Sequence, residues 1–150
     1  MKSSFLNGKV LGLLLVLILA GCTPAAAPTL SIEGAWGKPS MDFPTAGGLY
    51  MVIKNTGSAP DKLVSGKSPA CGAIEVHEMV KKTDGTMGMN LVDKPVEIAA
   101  NGQIELKSGS LHIMCIMKKD EQFKPGSKID VTLVFEKSGE KTFGAEIRAQ

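Results

Sequence analysis

From residue 30 onward, apolar and polar side chains alternate in short runs, and Gly, Pro, Asn and Asp separate the runs. Alternation with period two marks half-buried strands. It is clearest over residues 73–80. There Ile74, Val76 and Val80 take one face, and Glu75, His77, Met79 and Lys81 take the other. Thr83-Asp84-Gly85 follows as a hairpin signal. The chain then returns over 86–92 with Met87, Met89 and Leu91 on one face. Further strands are predicted over 30–36, 48–55 (Leu49, Met51 and Ile53 together), 62–65, 96–98, 103–107 and 111–117. The last two fall over 128–136 (Val131, Leu133, Phe135) and 141–148 (Phe143, Ala145, Ile147). Residues 38–48 and 66–72 read as irregular, and 55–61 as a turn. No stretch has convincing helical periodicity. A run of short strands with this punctuation predicts an all-β fold, an antiparallel β-sandwich or Greek-key barrel.

The first 29 residues follow another logic. Lys2 and Lys9 precede an apolar run from Val10 to Ala20, too short to span a membrane, which takes about 20 residues. The run ends in Leu19-Ala20-Gly21-Cys22, which resembles a bacterial lipobox. The expected organisation is a lipoprotein signal over 1–21, a lipidated Cys22 with a Pro/Ala tether over 22–29, and a β domain over 30–150. An ordinary signal peptide or an uncleaved anchor is the alternative. Acyl chains on Cys22 would hold the domain at a membrane surface, outside the cytoplasm.

Removing the signal changes the charge. Lys2 and Lys9 leave with it, so basic and acidic residues balance at 15 each. The basic balance of the whole chain therefore says nothing about nucleic acid, and no basic run with interleaved aromatics occurs. Cys71 and Cys115 remain beside Cys22. Outside the cytoplasm they can pair, and two free thiols are the alternative.

The candidate chemistry lies between His77 and Met117. Both histidines of the chain stand there, each followed two positions on by methionine: His77-Glu78-Met79 and His112-Ile113-Met114. Met87 and Met89 lie between them. Residues two apart on a strand share a face, so each His projects with its Met. Cys115 points the other way from His112 and Met114. Imidazole with thioether is a soft, uncharged donor set that suits Cu(I). Thioethers cannot form disulfides, which suits an oxidising compartment. Taken singly, a methionine is more often a core gap-filler and a strand histidine more often structural. The repeated His-x-Met, using every histidine present, raises the joint case.

These residues resemble the periplasmic copper chaperones of the PCu(A)C family. That pattern is a His, a Met about ten residues on, then a His-x-Met; here His77, Met89 and His112-Ile113-Met114 stand for it. Glu33-Gly34-Ala35-Trp36, Ile53-Lys54-Asn55-Thr56-Gly57, Val76-His77-Glu78-Met79 and Val131-Thr132-Leu133-Val134-Phe135 are also similar to family segments. The resemblance covers residues 33–143. It implies a cupredoxin-like β-barrel holding Cu(I) through His77, Met89, His112 and Met114, with Met79 and Met87 as accessory residues. It implies delivery to the Cu(A) centre of cytochrome c oxidase subunit II, often alongside a Sco-type protein. The hairpin over 80–86 is one residue longer than the family's, which leaves Met87 as the alternative to Met89. Cys71 and Cys115 lie outside the pattern, as a bridge or an accessory site.

Three readings compete: a lipid-anchored Cu(I) carrier, a blue-copper electron carrier, and a structural or adhesion lipoprotein without metal. Blue copper needs a Cys and two His with a weak axial Met, and no His follows Cys115. An enzyme fits least, since no activated nucleophile or paired-carboxylate motif accompanies the two histidines.

Overall fold

The computed structural model describes residues 26–149. The lipobox, Cys22 and the signal segment lie outside them. Ten strands follow in chain order: β1 (Leu30–Pro39), β2 (Ala46–Asn55), β3 (Asp61–Lys67), β4 (Ala73–Lys81), β5 (Met87–Leu91), β6 (Val96–Ile98), β7 (Gly102–Leu106), β8 (His112–Ile116), β9 (Lys128–Phe135) and β10 (Gly139–Ile147). The hydrogen-bonded order is β5-β4-β8-β2-β1-β10-β9-β3-β6, with β7 continuing along the edge of β2 beyond β8. The sheet curls until β3 and β4, far apart in that order, touch: a Cβ on Gly66 would lie 2.6 Å from the Ile74 side chain. The result is the all-β barrel-like sandwich that the alternation predicts.

The alternation decides what lies inside. Leu49, Met51 and Ile53 of β2, Ile113 and Cys115 of β8, Val131, Leu133 and Phe135 of β9, and Ala145 and Ile147 of β10 are all buried in one core. Burying each large apolar side chain contributes about 1.5–3 kcal/mol.

Two features depart from the expected picture. Pairing is antiparallel except between β1 and β10, which run parallel through Trp36↔Glu146 and Gly37↔Ile147. A parallel pair needs a long connection, and here the rest of the domain supplies it. The second is a bulge. Between Glu33↔Val52 and Trp36↔Tyr50, β1 carries one residue more than β2, and Gly34 takes φ 62° there. The positive φ is one that glycine adopts without steric cost. The extra residue reverses the parity of β1. Ile32 and Ala35 pack on the core, while Trp36 turns outward onto Tyr50, with ring centroids 4.6 Å apart. It is also why β1 alternates only weakly in sequence and yet runs on to Pro39.

Cys71, in the β3–β4 connection, forms a disulfide with Cys115 of β8; their Cα atoms are 5.3 Å apart and the closed segment spans 44 residues. Of the two readings of these cysteines, the structure has the bridge. Closing a loop of that size stabilises by about 4 kcal/mol in the chain-entropy model.

Asp61, at the start of β3, is buried. Its carboxylate accepts from the backbone N–H of Lys62 and Lys137 at 2.8 Å and of Ser138 at 2.9 Å. Burial alone would raise its pKa; the hydrogen bonds from Ser138, Lys137 and Lys62 outweigh it and hold the pKa below the ordinary value. A depressed folded-state pKa contributes stability in full above the unfolded value, about 3.9, and loses it as pH falls through the folded one. Asp61→Asn keeps the size but replaces one acceptor oxygen with an amide facing N–H groups. The expected loss is about 1–3 kcal/mol at pH 7, shrinking toward pH 3. Urea unfolding of both proteins at the two pH values checks it.

Candidate metal centre

The outward face of β5, β4, β8 and β2 carries the candidate ligands. Register places them in rows. His77 of β4 is directly opposite His112 of β8, with ring centroids 6.3 Å apart, and on its other side opposite Leu91 of β5. Tyr50 of β2 lies beyond His112, its ring centroid also 6.3 Å away, and Trp36 lies beyond Tyr50. The Arg148 guanidinium caps the row, 5.0 Å over the Trp36 ring. In the next row Met114 stands between Gly48 of β2 and Glu75 of β4. On the other side of His77, Met79 faces Met89.

The β4–β5 hairpin sets that last pairing. Its loop is Thr83-Asp84-Gly85. Lys82 N–H donates to the Thr86 carbonyl at 2.8 Å, Gly85 N–H to the Lys82 carbonyl at 3.0 Å, and Gly85 takes φ 85°. This three-residue loop with glycine in the left-handed region fixes Lys81↔Met87 and Met79↔Met89. Met89 is therefore half-buried between neighbours, whereas Met87 is 54% exposed and faces a lysine.

A cleft of about 480 Å³ opens on this face. Met79, Met87, Met89, Met114 and His112 line it. His112 and Met114 are buried, while Ile113 and the bridged Cys115 point into the core behind them. Strand parity thus divides β8 as the sequence implies.

The two histidines are held differently. His112 Nδ1 donates to the Ser110 carbonyl at 2.7 Å, which leaves Nε2 with its lone pair free. His77 Nε2 lies 2.8 Å from Glu75 Oε2. Its Nδ1 is buried without a hydrogen-bond partner, alone in this among the side-chain nitrogens and oxygens of the described residues. Such an orphan costs about 1–3 kcal/mol, and a bound cation would relieve it. No three His, Cys, Asp or Glu of the described residues cluster as a metal site. Beside the two imidazoles, the side-chain donors that line the cleft include the thioethers of Met79, Met87, Met89 and Met114.

Four contributors escape sequence reasoning. Met41, 78% exposed in the β1–β2 loop, lines the cleft with half-exposed Phe43. Tyr50 forms part of its wall, and burial pushes the phenol pKa up, against a hydrogen bond with Ser108 that lowers it. Gly48 leaves the space that Tyr50 fills: a Cβ there would overlap the tyrosine hydroxyl.

Fold and site together define a PCuAC-type β-barrel domain. The apo PCuAC domain from PmoF1 is similar at 29% identity, over 81% of this chain and 94% of that one, with a TM-score of 0.66. The copper-bound PCuAC domain from PmoF2 shares the fold at 24% identity, over 84% and 97% of the two chains, with a TM-score of 0.66. The Cu(I) form of DR1885 from Deinococcus radiodurans shares it at 23% identity, over 83% and 81%, with a TM-score of 0.63. Residues 30–147 match the model of the LpqE-like lipoprotein family, and the chain belongs to that family. It is also 27% identical over 124 residues to the Rickettsia prowazekii protein RP573. That match takes in 83% of this chain but 63% of the relative's length.

Proposed function

We propose that this protein is a lipid-anchored, extracytoplasmic Cu(I) carrier, with His77, Met89, His112 and Met114 as ligands. The observation that carries the reading is the convergence on one sheet face of two imidazole nitrogens without partners and a set of thioethers. These are soft, neutral donors, which favour Cu(I) over harder divalent ions. Similarity to a PCuAC domain that has been obtained copper-bound supports it. Met79 and Met87 stand next to the ligands and would assist entry and exit of the ion. A cleft open to solvent suits release to a partner better than retention.

The lipobox at Cys22 and membership of a lipoprotein family support an anchor at the envelope. The delivery target we propose is the Cu(A) site of cytochrome c oxidase subunit II, alongside a Sco-type protein. Of the other readings, blue copper fails on Cys115, which is bridged to Cys71 and faces away from the histidines. The structural-lipoprotein reading leaves the orphaned His77 nitrogen without a purpose.

X-ray absorption on the reduced protein loaded with one equivalent of Cu(I) tests the site. The expected spectrum has both nitrogen and sulfur neighbours. A spectrum with oxygen or nitrogen neighbours alone overturns the assignment.

A further inference from the structure

We infer that Glu75 is a positioning residue for the metal: it locks His77 in the Nε2–H tautomer and so presents Nδ1, not Nε2, to Cu(I). The inference rests on the Cu(I)-carrier reading and adds a residue that the His/Met pattern does not contain.

Glu75 and His77 are two apart on β4 and project from the same face. The carboxylate oxygen Oε2 stands 2.8 Å from Nε2. An ionised carboxylate only accepts, so Nε2 must be the donor. In a neutral imidazole the proton on Nε2 leaves Nδ1 as a bare acceptor. Nδ1 is the one buried side-chain nitrogen or oxygen of the described residues that has no partner. One hydrogen bond thus satisfies one end of the ring and frees the other.

His112 is arranged the opposite way. Its Nδ1 is the donor, to the Ser110 carbonyl at 2.7 Å, so its free nitrogen is Nε2. Two histidines facing each other across β4 and β8 therefore offer unlike nitrogens, each fixed by a bond at the far side of its ring. A carboxylate behind a ligating imidazole orients the ring and raises its basicity. Glu75 also faces Met114 across the strands, which sets its charge beside two proposed ligands. Two His and two Met bring no charge to Cu(I); Glu75 supplies a neighbouring negative charge without taking a coordination position.

The test uses ¹⁵N-histidine-labelled protein, Cu(I) competition titrations, and the variants Glu75→Leu and Glu75→Gln. Leucine removes the acceptor; glutamine keeps an acceptor oxygen and removes the charge. In the apo wild type, two-bond ¹H–¹⁵N correlations should show His77 protonated at Nε2. Adding Cu(I), which is diamagnetic, should shift Nδ1 of His77 and Nε2 of His112. Glu75→Leu should populate both His77 tautomers and bind Cu(I) roughly 10–100-fold more weakly. Glu75→Gln should fall between it and wild type. A Cu(I)-induced shift at His77 Nε2, or a Glu75→Leu variant with wild-type tautomer and affinity, overturns the inference while leaving the carrier reading standing. Wild-type protein that takes up no Cu(I) sinks the carrier reading and the inference with it.

Discussion

Replacing His112 with alanine is expected to abolish tight Cu(I) binding, with a larger loss than any other single change on this face. His112 is buried, its ring is held by the Ser110 carbonyl, and its free Nε2 belongs to a side chain lining the cleft. Little ordering is left to do when the ion arrives. Losing an outer partner of a ligand costs roughly 10–100-fold in affinity, and losing the ligand itself should exceed that. Met114→Leu should come next, because Met114 is also buried and fixed between Gly48 and Glu75. Leucine conserves volume, so the fold should tolerate it at under about 1.5 kcal/mol. The hairpin register then ranks the remaining pair. Met89→Leu should weaken binding by tenfold or more, while Met87→Leu should stay within a few-fold of wild type. The exposed Met87 must give up more side-chain freedom to reach the ion than the half-buried Met89. Competition titration against a Cu(I) chelator orders the four variants. If Met87→Leu costs more than Met89→Leu, the assignment within the hairpin has to be exchanged.

What the sequence discloses and what it hides follow from the range of the interactions involved. Period-two alternation is local, and it exposes the faces of β2, β4, β8 and β9 without any knowledge of their partners. The parity of β8 alone separates His112 and Met114 from Ile113 and Cys115. The bulge at Gly34 is also local, yet it blurs β1: one extra residue breaks the alternation, so the strand reads as ending at Trp36 when it runs on to Pro39. Pairing is not local. No spacing says that β1 lies beside β10, that Met79 meets Met89, or that Cys71 reaches Cys115. The full length of β3 arises in the same way. β3 extends through Gly66 and Lys67 because β9 pairs with it there, although a glycine between two polar residues reads as a break. Glu75 and Tyr50 pass unnoticed for a further reason. A glutamate on a polar strand face and an aromatic in an alternating run are ordinary until register sets them against His77 and His112.

Gly48 tests the construction of the cleft more sharply than any ligand does, because it carries no donor atom. In Gly48→Ala the new Cβ would overlap the Tyr50 hydroxyl and lie 2.6 Å from Cζ. The ring has little room to yield. It is buried and packed on Trp36, with ring centroids 4.6 Å apart. Overpacking of this kind typically costs about 1–3 kcal/mol. Tyr50 lines the cleft with His112 and Met114, its ring centroid 6.3 Å from that of His112, so copper affinity should fall as well, by tenfold or more. A double-mutant cycle with Tyr50→Leu separates this from general damage. Leucine removes the atoms that collide, so the two substitutions should be coupled favourably by roughly 0.5–3 kcal/mol, and the double variant should recover affinity that Gly48→Ala loses. Chemical denaturation and Cu(I) competition give the two readouts. Additive stability losses with no recovery of affinity would mean that Gly48 serves the backbone of β2 and not the space beneath Tyr50, and the wall of the cleft would then have to be assigned elsewhere.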